Sequence, residues 1–257
     1  MNKNIKKDKN LTLLGDIGNT DIKICVLKSN YKIVKRLIIK NNLKNKNYLP
    51  KNLEIVNKFK GRIKKILFSS VVPNSFKIIK FILEKKFKIK CYEIKSINIK
   101  NILNLKVNKK QIGSDRIANA IGVSKKNKNF IVIDFGTATT LDVIINKTYL
   151  GGVIAPGVKL SLETLIERAT LIPKINLSKI KKVVGNNTES AVKSGFYWGY
   201  SGLIDNMIKL IIKQTRKSFH VVLTGGLANL YKNSLYKKVT VDKDLTIKGL
   251  IKILKFI

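Results

Sequence analysis

The chain has only two cysteines, Cys25 and Cys91, and neither stands at a spacing that would ligate a metal or frame a disulfide scaffold. Cys25 lies inside an apolar run and is expected to be a small buried hydrophobe. There is a single histidine, His220, directly before Val221-Val222-Leu223. This gives a Ser-His-Asp triad little support and rules out a His-Glu-x-x-His zinc helix. A structural role is expected for His220. No apolar run approaches the ~20 residues that a membrane-spanning helix needs. Gly/Ser- or Pro-rich linkers are also missing, so any two lobes should pack closely. Acidic residues are few, 15 against 52 Lys and Arg, which leaves a formal net charge of +37.

That excess invites a nucleic-acid partner. The basic residues are nearly all lysine, however, scattered along the chain among Asn and Ile. Only Arg36, Arg62, Arg116, Arg168 and Arg216 offer the planar fork suited to bidentate phosphate and base contacts. Lys, Asn and Ile all have A/T-only codons, so base composition explains the charge, and nucleic acid is not expected as a partner. A positive field would still draw in small anions. With 257 residues and 44% apolar content the chain can build two ordinary lobes with their own cores. Residues 1–10 read as a basic extension on a cytoplasmic protein, without the apolar segment of a signal peptide.

One turn occurs twice. Asp16-Ile17-Gly18-Asn19-Thr20 follows the apolar run Leu11–Leu14, and Asp134-Phe135-Gly136-Thr137-Ala138 follows Phe130–Ile133. A second strand-like run follows each, Ile22–Leu27 and Thr140–Ile145. One such turn could be an ordinary hairpin with Asp and Gly in turn positions. Two copies suggest related halves, each opening with a hairpin whose tip carries a carboxylate, a glycine and hydroxyls. Glycine lets main-chain N–H groups approach an anion, and Asp can orient a cation or its water.

Between these landmarks strands and helices alternate, which argues for an α/β class with a mixed sheet in each lobe. Strands are expected at 11–15, 22–28 and 32–39, then a polar Lys/Asn stretch at 40–52 and a helix near 53–60. Ile66–Val72 reads as a buried parallel strand, followed by a helix at 75–87 and a short strand near 89–94. A loop leads to helix 114–125. Strands at 130–134, 139–146 and 149–154 precede a helix near 160–170. A helical region at 188–215 should be interrupted by Gly195, Gly199 and Gly202. Strand 219–223, helix 226–234, strand 238–241 and helix 245–254 complete the order. The expected division is a lobe at 11–117 and a lobe at 118–257.

Four further segments could carry chemistry. Gly113-Ser114-Asp115-Arg116 opens a helix; Ser114 or Asp115 could be a plain cap, or Asp115 a general base beside a cation. Gly151-Gly152-Val153-Ile154-Ala155-Pro156-Gly157 is dense enough in glycine to imply close approach to a ligand or another backbone. Thr224-Gly225-Gly226 follows a strand and opens a helix, which suits a nucleotide. Asn187-Thr188-Glu189 could be an N-cap, and Tyr197, Trp198 and Tyr200 core or interface aromatics.

The twin hairpin resembles the actin, hexokinase and Hsp70 superfamily, in which two ribonuclease-H-like lobes clamp ATP between phosphate hairpins. Taken in order, the segments resemble the type III pantothenate kinases, the members of the acetate and sugar kinase superfamily that begin coenzyme A synthesis. The match runs from about Leu13 to Leu230 through the Asp16 and Asp134 turns, Gly113-Ser-Asp-Arg116, Gly151–Gly157, Thr188 with Ser194-Gly195, and Thr224–Ala228. The resemblance implies two actin-like lobes with an ATP cleft between them. It also implies a reaction, transfer of the ATP γ-phosphate to pantothenate's primary hydroxyl.

It further implies that Asp16, Ile17, Gly18, Asn19, Thr20, Asp21, Ile22 and Lys23 bind ATP together with Thr137, Gly225 and Gly226. Asp16 would hold Mg2+, through water, and Asp134 a monovalent cation, K+ or NH4+. Gly113, Ser114, Asp115, Arg116 and Thr188 would contact pantothenate, Asp115 as catalytic base. The family is dimeric, and the helices around 188–213 would form part of the interface. One departure stands out: family members carry a Tyr-x-Asn-Pro-like stretch before the Gly-x-Asp-Arg motif, whereas here Leu105–Lys110 has neither Tyr nor Pro. An alternative is a catalytically altered relative acting as a transcription accessory factor. Three carboxylates in phosphate-facing turns count against it, because they would repel a polyanion. Other sugar or acetate kinases fit the Gly-x-Asp-Arg start and the length less well.

Overall fold

The computed structural model describes residues 10–42 and 48–257, so the expected extension at 1–10 lies outside the described residues except for Asn10. The chain divides into two contact-defined units, residues up to Gly122 together with Leu245–Ile257, and Val123–Asp244. Among the described residues no helix is long and apolar enough to cross a membrane.

In the first unit the strands are β1 (Leu11–Ile17), β2 (Asp21–Leu27), β3 (Ile33–Lys40), β4 (Ile63–Ser70) and β5 (Cys91–Glu93). They form a sheet in the order β3-β2-β1-β4-β5. β1 pairs antiparallel with β2 and β2 with β3, while β4 runs parallel to both β1 and β5. Leu13, Ile17, Ile22, Ile24, Ile66 and Phe68 are buried on one face of the sheet. Helix α1 (Tyr48–Leu53), the 3-10 turn Glu54–Phe59 and α2 (Pro73–Phe87) supply further apolar groups to this core. Pro73 opens α2 where a missing N–H costs nothing, and Lys88 ends it in the left-handed region. The expected helix near 53–60 is therefore an α-helix followed by a 3-10 turn, and it starts earlier. A 3-10 turn at Ile94–Ser96 and the two-residue strand β6 (Asn104–Leu105) lead to α3 (Ser114–Val123).

The last helix, α7 (Leu245–Ile253), belongs to the first unit, a correction to the expected lobe at 118–257. The cause is close packing on α3. A Cβ on Gly249 would stand 1.9 Å from the Ala118 carbonyl oxygen, so glycine lets the helices approach. Lys252 Nζ donates to the carbonyls of Ile121 and Gly122 at 2.9 and 2.7 Å, capping the C-terminal end of α3.

The second unit repeats the pattern. Its strands β7 (Asn129–Phe135), β8 (Ala138–Ile145), β9 (Thr148–Pro156), β10 (His220–Gly225) and β11 (Val239–Val241) lie in the order β11-β10-β7-β8-β9. β7, β8 and β9 form an antiparallel meander, and β10 runs parallel to β7 and β11. Each unit is thus three meandering strands with two parallel strands on the far side of the first. Ile131, Ile133, Leu141, Val221 and Leu223 form the core with Ile204, Ile208 and Ile211 of α5 (Thr188–Thr215). Two more helices, α4 (Val158–Arg168) and the one-turn α6 (Ala228–Tyr231), complete the unit. α5 is one continuous helix of 28 residues, against the expected interruptions. Each helical glycine costs about 1 kcal/mol, which the burial of this helix's apolar stripe on the sheet offsets. As expected, Cys25 is buried. His220 is exposed at the head of β10, its ring centroid 5.6 Å from that of Phe130.

Candidate active site

The repeated turn sits at equivalent places, between the first two strands of each sheet, but each copy is held differently. At the β1–β2 tip the Gly18 N–H donates to the Asp21 carbonyl at 3.0 Å. Asn41, just beyond β3, grips the tip twice. Its Nδ2 donates to the Gly18 carbonyl at 2.7 Å and its main-chain N–H to the Thr20 carbonyl at 2.8 Å. Ser75, buried in the first turn of α2, donates to Asn41 Oδ1 at 2.6 Å and fixes that amide. Lys40 pairs with Asp21 at 2.9 Å, and this hydrogen bond and charge raise the lysine pKa.

Of the expected ATP-binding stretch, Ile17 and Ile22 turn into the core, so only their main chain could face a ligand. Asn19, Thr20 and Lys23 are exposed and Asp16 is half-buried. Asp16 is the register partner of Lys23 on one side and Ser69 on the other. The Ser69 hydroxyl is fully buried and has no hydrogen-bond partner among the described residues. A carboxylate beside an unpaired hydroxyl is an oxygen donor set that fits hydrated Mg2+. No group of three or more His, Cys, Asp or Glu capable of holding a metal occurs among the described residues. Most of the ion's ligands would therefore be water and phosphate oxygens, which is how Mg2+ is ordinarily bound beside nucleotides.

The end of β4 also receives the Gly113–Arg116 motif. The Val71 N–H donates to the Ile17 carbonyl at 3.0 Å, and a Cβ on Gly113 would touch Val71 Cγ1 at 3.4 Å. The same Cβ would stand 2.5 Å from Asp115 Oδ1. Glycine at 113 therefore leaves room for the Asp115 carboxyl to fold back over the helix start, where Oδ1 accepts the Arg116 N–H at 2.8 Å. Asp115 satisfies free N–H groups of the first turn, as a cap does. Its surroundings are dense as well. Burial pushes its pKa above the usual carboxylate value, with the Arg116 N–H and charge, and the Lys95 charge, opposing.

Next to it lies a residue that motif reading misses. Glu93 Oε1 accepts the hydroxyl of Ser114, a fully buried residue, at 2.5 Å, and Oε2 accepts the Lys95 N–H at 2.7 Å. Burial raises the pKa of Glu93, while bonds from Ser114 and from the main chain of Lys95 and Ser70 oppose the rise. The stretch that departs from the family pattern is close by. Lys109 Nζ donates to the Ile97 carbonyl at 2.7 Å, and burial lowers its pKa against the charge of Glu93. Glu93 ends a three-residue strand and belongs to no motif, so only the fold reveals it.

In the second unit the tip is held by main chain. The Gly136 N–H donates to the Ala138 carbonyl at 3.1 Å. A Cβ on Gly157 would stand 2.1 Å from the Thr137 carbonyl oxygen, so the glycine-rich segment does bring one backbone against another. Thr224 is the register partner of Asp134, and the Gly226 N–H donates to the Phe135 carbonyl at 3.1 Å. Gly225 has φ +86°, and a Cβ there would approach Asp134 Oδ1 to 2.5 Å. Asp134, Thr137, Gly157, Gly225 and Gly226 are thereby gathered at one place. Thr188 lies elsewhere in this unit, exposed in the first turn of α5. Asn187 caps that helix, accepting the Ser190 N–H at 2.9 Å in a capping box. Tyr197 is in the core, and Tyr200 donates to Ser161 Oγ at 2.7 Å.

Solved structures show the fold. A Campylobacter jejuni protein described as of the Baf family of transcriptional activators is 22% identical, covers 95% of this chain and 97% of its own, and has a TM-score of 0.57. The inorganic polyphosphate/ATP-glucomannokinase of Arthrobacter sp. strain KM gives 13%, 96%, 99% and 0.51 in the same order. The fold is that of the actin-like ATPases and sugar kinases. Sequence is more specific. A family model described as type III pantothenate kinase matches residues 12–210. The type III pantothenate kinase of Pelagibacter ubique (strain HTCC1062) is 53% identical over 242 residues, 94% of this chain and 98% of that protein. The chain belongs to the type III pantothenate kinase family.

Proposed function

We propose that the chain transfers the γ-phosphate of ATP to the primary hydroxyl of pantothenate, giving 4′-phosphopantothenate, the first step of coenzyme A synthesis. Family membership across almost the whole chain supports the reaction. The observation that carries the chemistry is Asp115, a carboxylate with a raised pKa held at a helix start beside the end of β4.

Phosphoryl transfer passes through a loose transition state, so positioning and charge neutralisation dominate. Main-chain N–H groups of the Asp16 tip bind phosphate oxygens, and Lys23, on the same face as Asp16, adds a cation. Asp16 would hold Mg2+ through water, and the ion would supply charge neutralisation at the phosphates when bound. A monovalent cation at Asp134, K+ or NH4+, would add fixed positive charge beside the Thr137 and Gly225-Gly226 segments. The carboxylate and main-chain carbonyls gathered there are the hard oxygen donors such an ion takes. Asp115 accepts the hydroxyl proton, at a carboxyl oxygen whose elevated pKa makes it a better base than an ordinary Asp. Arg116 holds the substrate beside it. Ser114, whose hydroxyl is already given to Glu93, contributes its main chain. Thr188 supplies a further pantothenate contact, and helix α5 part of a homodimer interface in a cytoplasmic enzyme, as the family resemblance implies.

The test is a kinase assay with pantothenate and ATP, with and without potassium. Potassium-dependent 4′-phosphopantothenate formation is the expected result. No turnover, together with tight salt-sensitive DNA binding, would overturn the proposal in favour of a transcription accessory factor.

A further inference from the structure

We propose that Glu93 is the positioning residue for Asp115, tying the first turn of α3 to the end of β4. The inference rests on Asp115 being the catalytic base. A plain cap of the 3-10 turn at Ile94–Ser96 needs only one acceptor, and Oε2 of Glu93 supplies it to the Lys95 N–H at 2.7 Å. The other oxygen is turned away from that turn, onto the Ser114 hydroxyl at 2.5 Å. The carboxylate also accepts the main-chain N–H of Ser70, the last residue of β4. One side chain thus joins three segments that are far apart in sequence.

Ser114 immediately precedes Asp115 and is fully buried, so its hydroxyl has no water to turn to if Glu93 is removed. Its position sets the first helical turn, and that turn holds Asp115 through the Arg116 N–H. At its far end α3 is held by Lys252 on the Ile121 and Gly122 carbonyls. The helix is gripped by an anion at its N-terminus and a cation at its C-terminus, the signs its dipole favours. Glu93 itself touches neither nucleotide nor acceptor in this account. It acts through Ser114, and a shift of about 1 Å at a reacting group can cost ~10²-fold in rate.

Steady-state kinetics with pantothenate and ATP test this in Glu93→Ala, Glu93→Gln, Ser114→Ala and the Glu93→Ala/Ser114→Ala double variant. In Glu93→Ala kcat should fall about 10–100-fold while KM for ATP stays within about twofold. Glu93→Gln keeps one acceptor oxygen for the Lys95 N–H and turns an amide N–H toward the Ser114 hydroxyl, which can accept it, so it should recover most of the rate. The double variant should be no slower than Glu93→Ala, because the two groups share one interaction. Losses that multiply in the double variant would overturn the proposal. So would a kcat within twofold of wild type in Glu93→Ala. A loss in which KM for ATP and melting temperature move together, without rescue by Gln, would mark a merely structural role and overturn it too. The base assignment is separable: full activity in Asp115→Asn overturns that assignment, whereas an impaired Asp115→Asn beside an intact Glu93→Ala overturns only the role of Glu93.

Discussion

The two Asp-x-Gly tips are built from nearly the same residues and held in opposite ways. The Asp16 tip is clamped by Asn41, whose side chain, fixed by Ser75, holds the Gly18 carbonyl and whose main-chain N–H holds that of Thr20. The Asp134 tip is clamped by glycine packing, with Gly157 against the Thr137 carbonyl and Gly225 against the Phe135 carbonyl and the Asp134 carboxylate. A side-chain clamp is a set of hydrogen bonds that can be deleted singly, each worth about 0.5–1.5 kcal/mol. A glycine clamp is a steric requirement that a single methyl group breaks. The first tip should therefore tolerate substitution around it, and the second should not.

The difference extends to the chemistry proposed for each unit, base and magnesium in the first, monovalent cation in the second. The largest expected effect is in Asp115→Asn, a fall in kcat of ~10²–10⁴-fold with the potassium response retained. Asp134→Asn should do the reverse in kind. Its rate should drop to that of the wild type without potassium, and a potassium titration should be flat. Gly157→Ala and Gly225→Ala come next, destabilised by about 1–3 kcal/mol from overpacking, with added strain at the positive φ of Gly225. Denaturant unfolding measures this, and wild-type stability in both would remove the steric account of the second tip. The smallest effect is in Asn41→Ala, about 1 kcal/mol of stability and a severalfold rise in KM for ATP, with potassium activation unchanged.

The sequence carries the second clamp more openly than the first. Gly151–Gly157 and Thr224–Gly226 stand out because glycine at that density has few other uses, and the structure puts Gly157 and Gly225 at backbone contacts. Asn41 sits in a Lys/Asn stretch that reads as a solvated loop, and nothing local distinguishes it from its neighbours. Glu93 was hidden for the same reason: its partners, Ser70, Lys95 and Ser114, come together only when β4, β5 and α3 do. The sheets themselves were legible, since continuous apolar runs such as Ile66–Phe68 mark buried strands. The placement of α7 was not, because it depends on Gly249 meeting Ala118 across the chain. Nor was the continuity of α5, since tertiary burial overrides the weak local penalty of its glycines.

The most direct measurement is the pH dependence of kcat/KM for pantothenate in the wild type and in Asp115→Asn. Asp115 must be deprotonated to accept the hydroxyl proton, so activity falls as pH drops through its pKa. Burial places that pKa above the ~3.9 of an ordinary Asp, against the lowering charges of Arg116 and Lys95. The account predicts an acid limb above that value in the wild type and none in the slow residual activity of Asp115→Asn. The same limb in both proteins would contradict it.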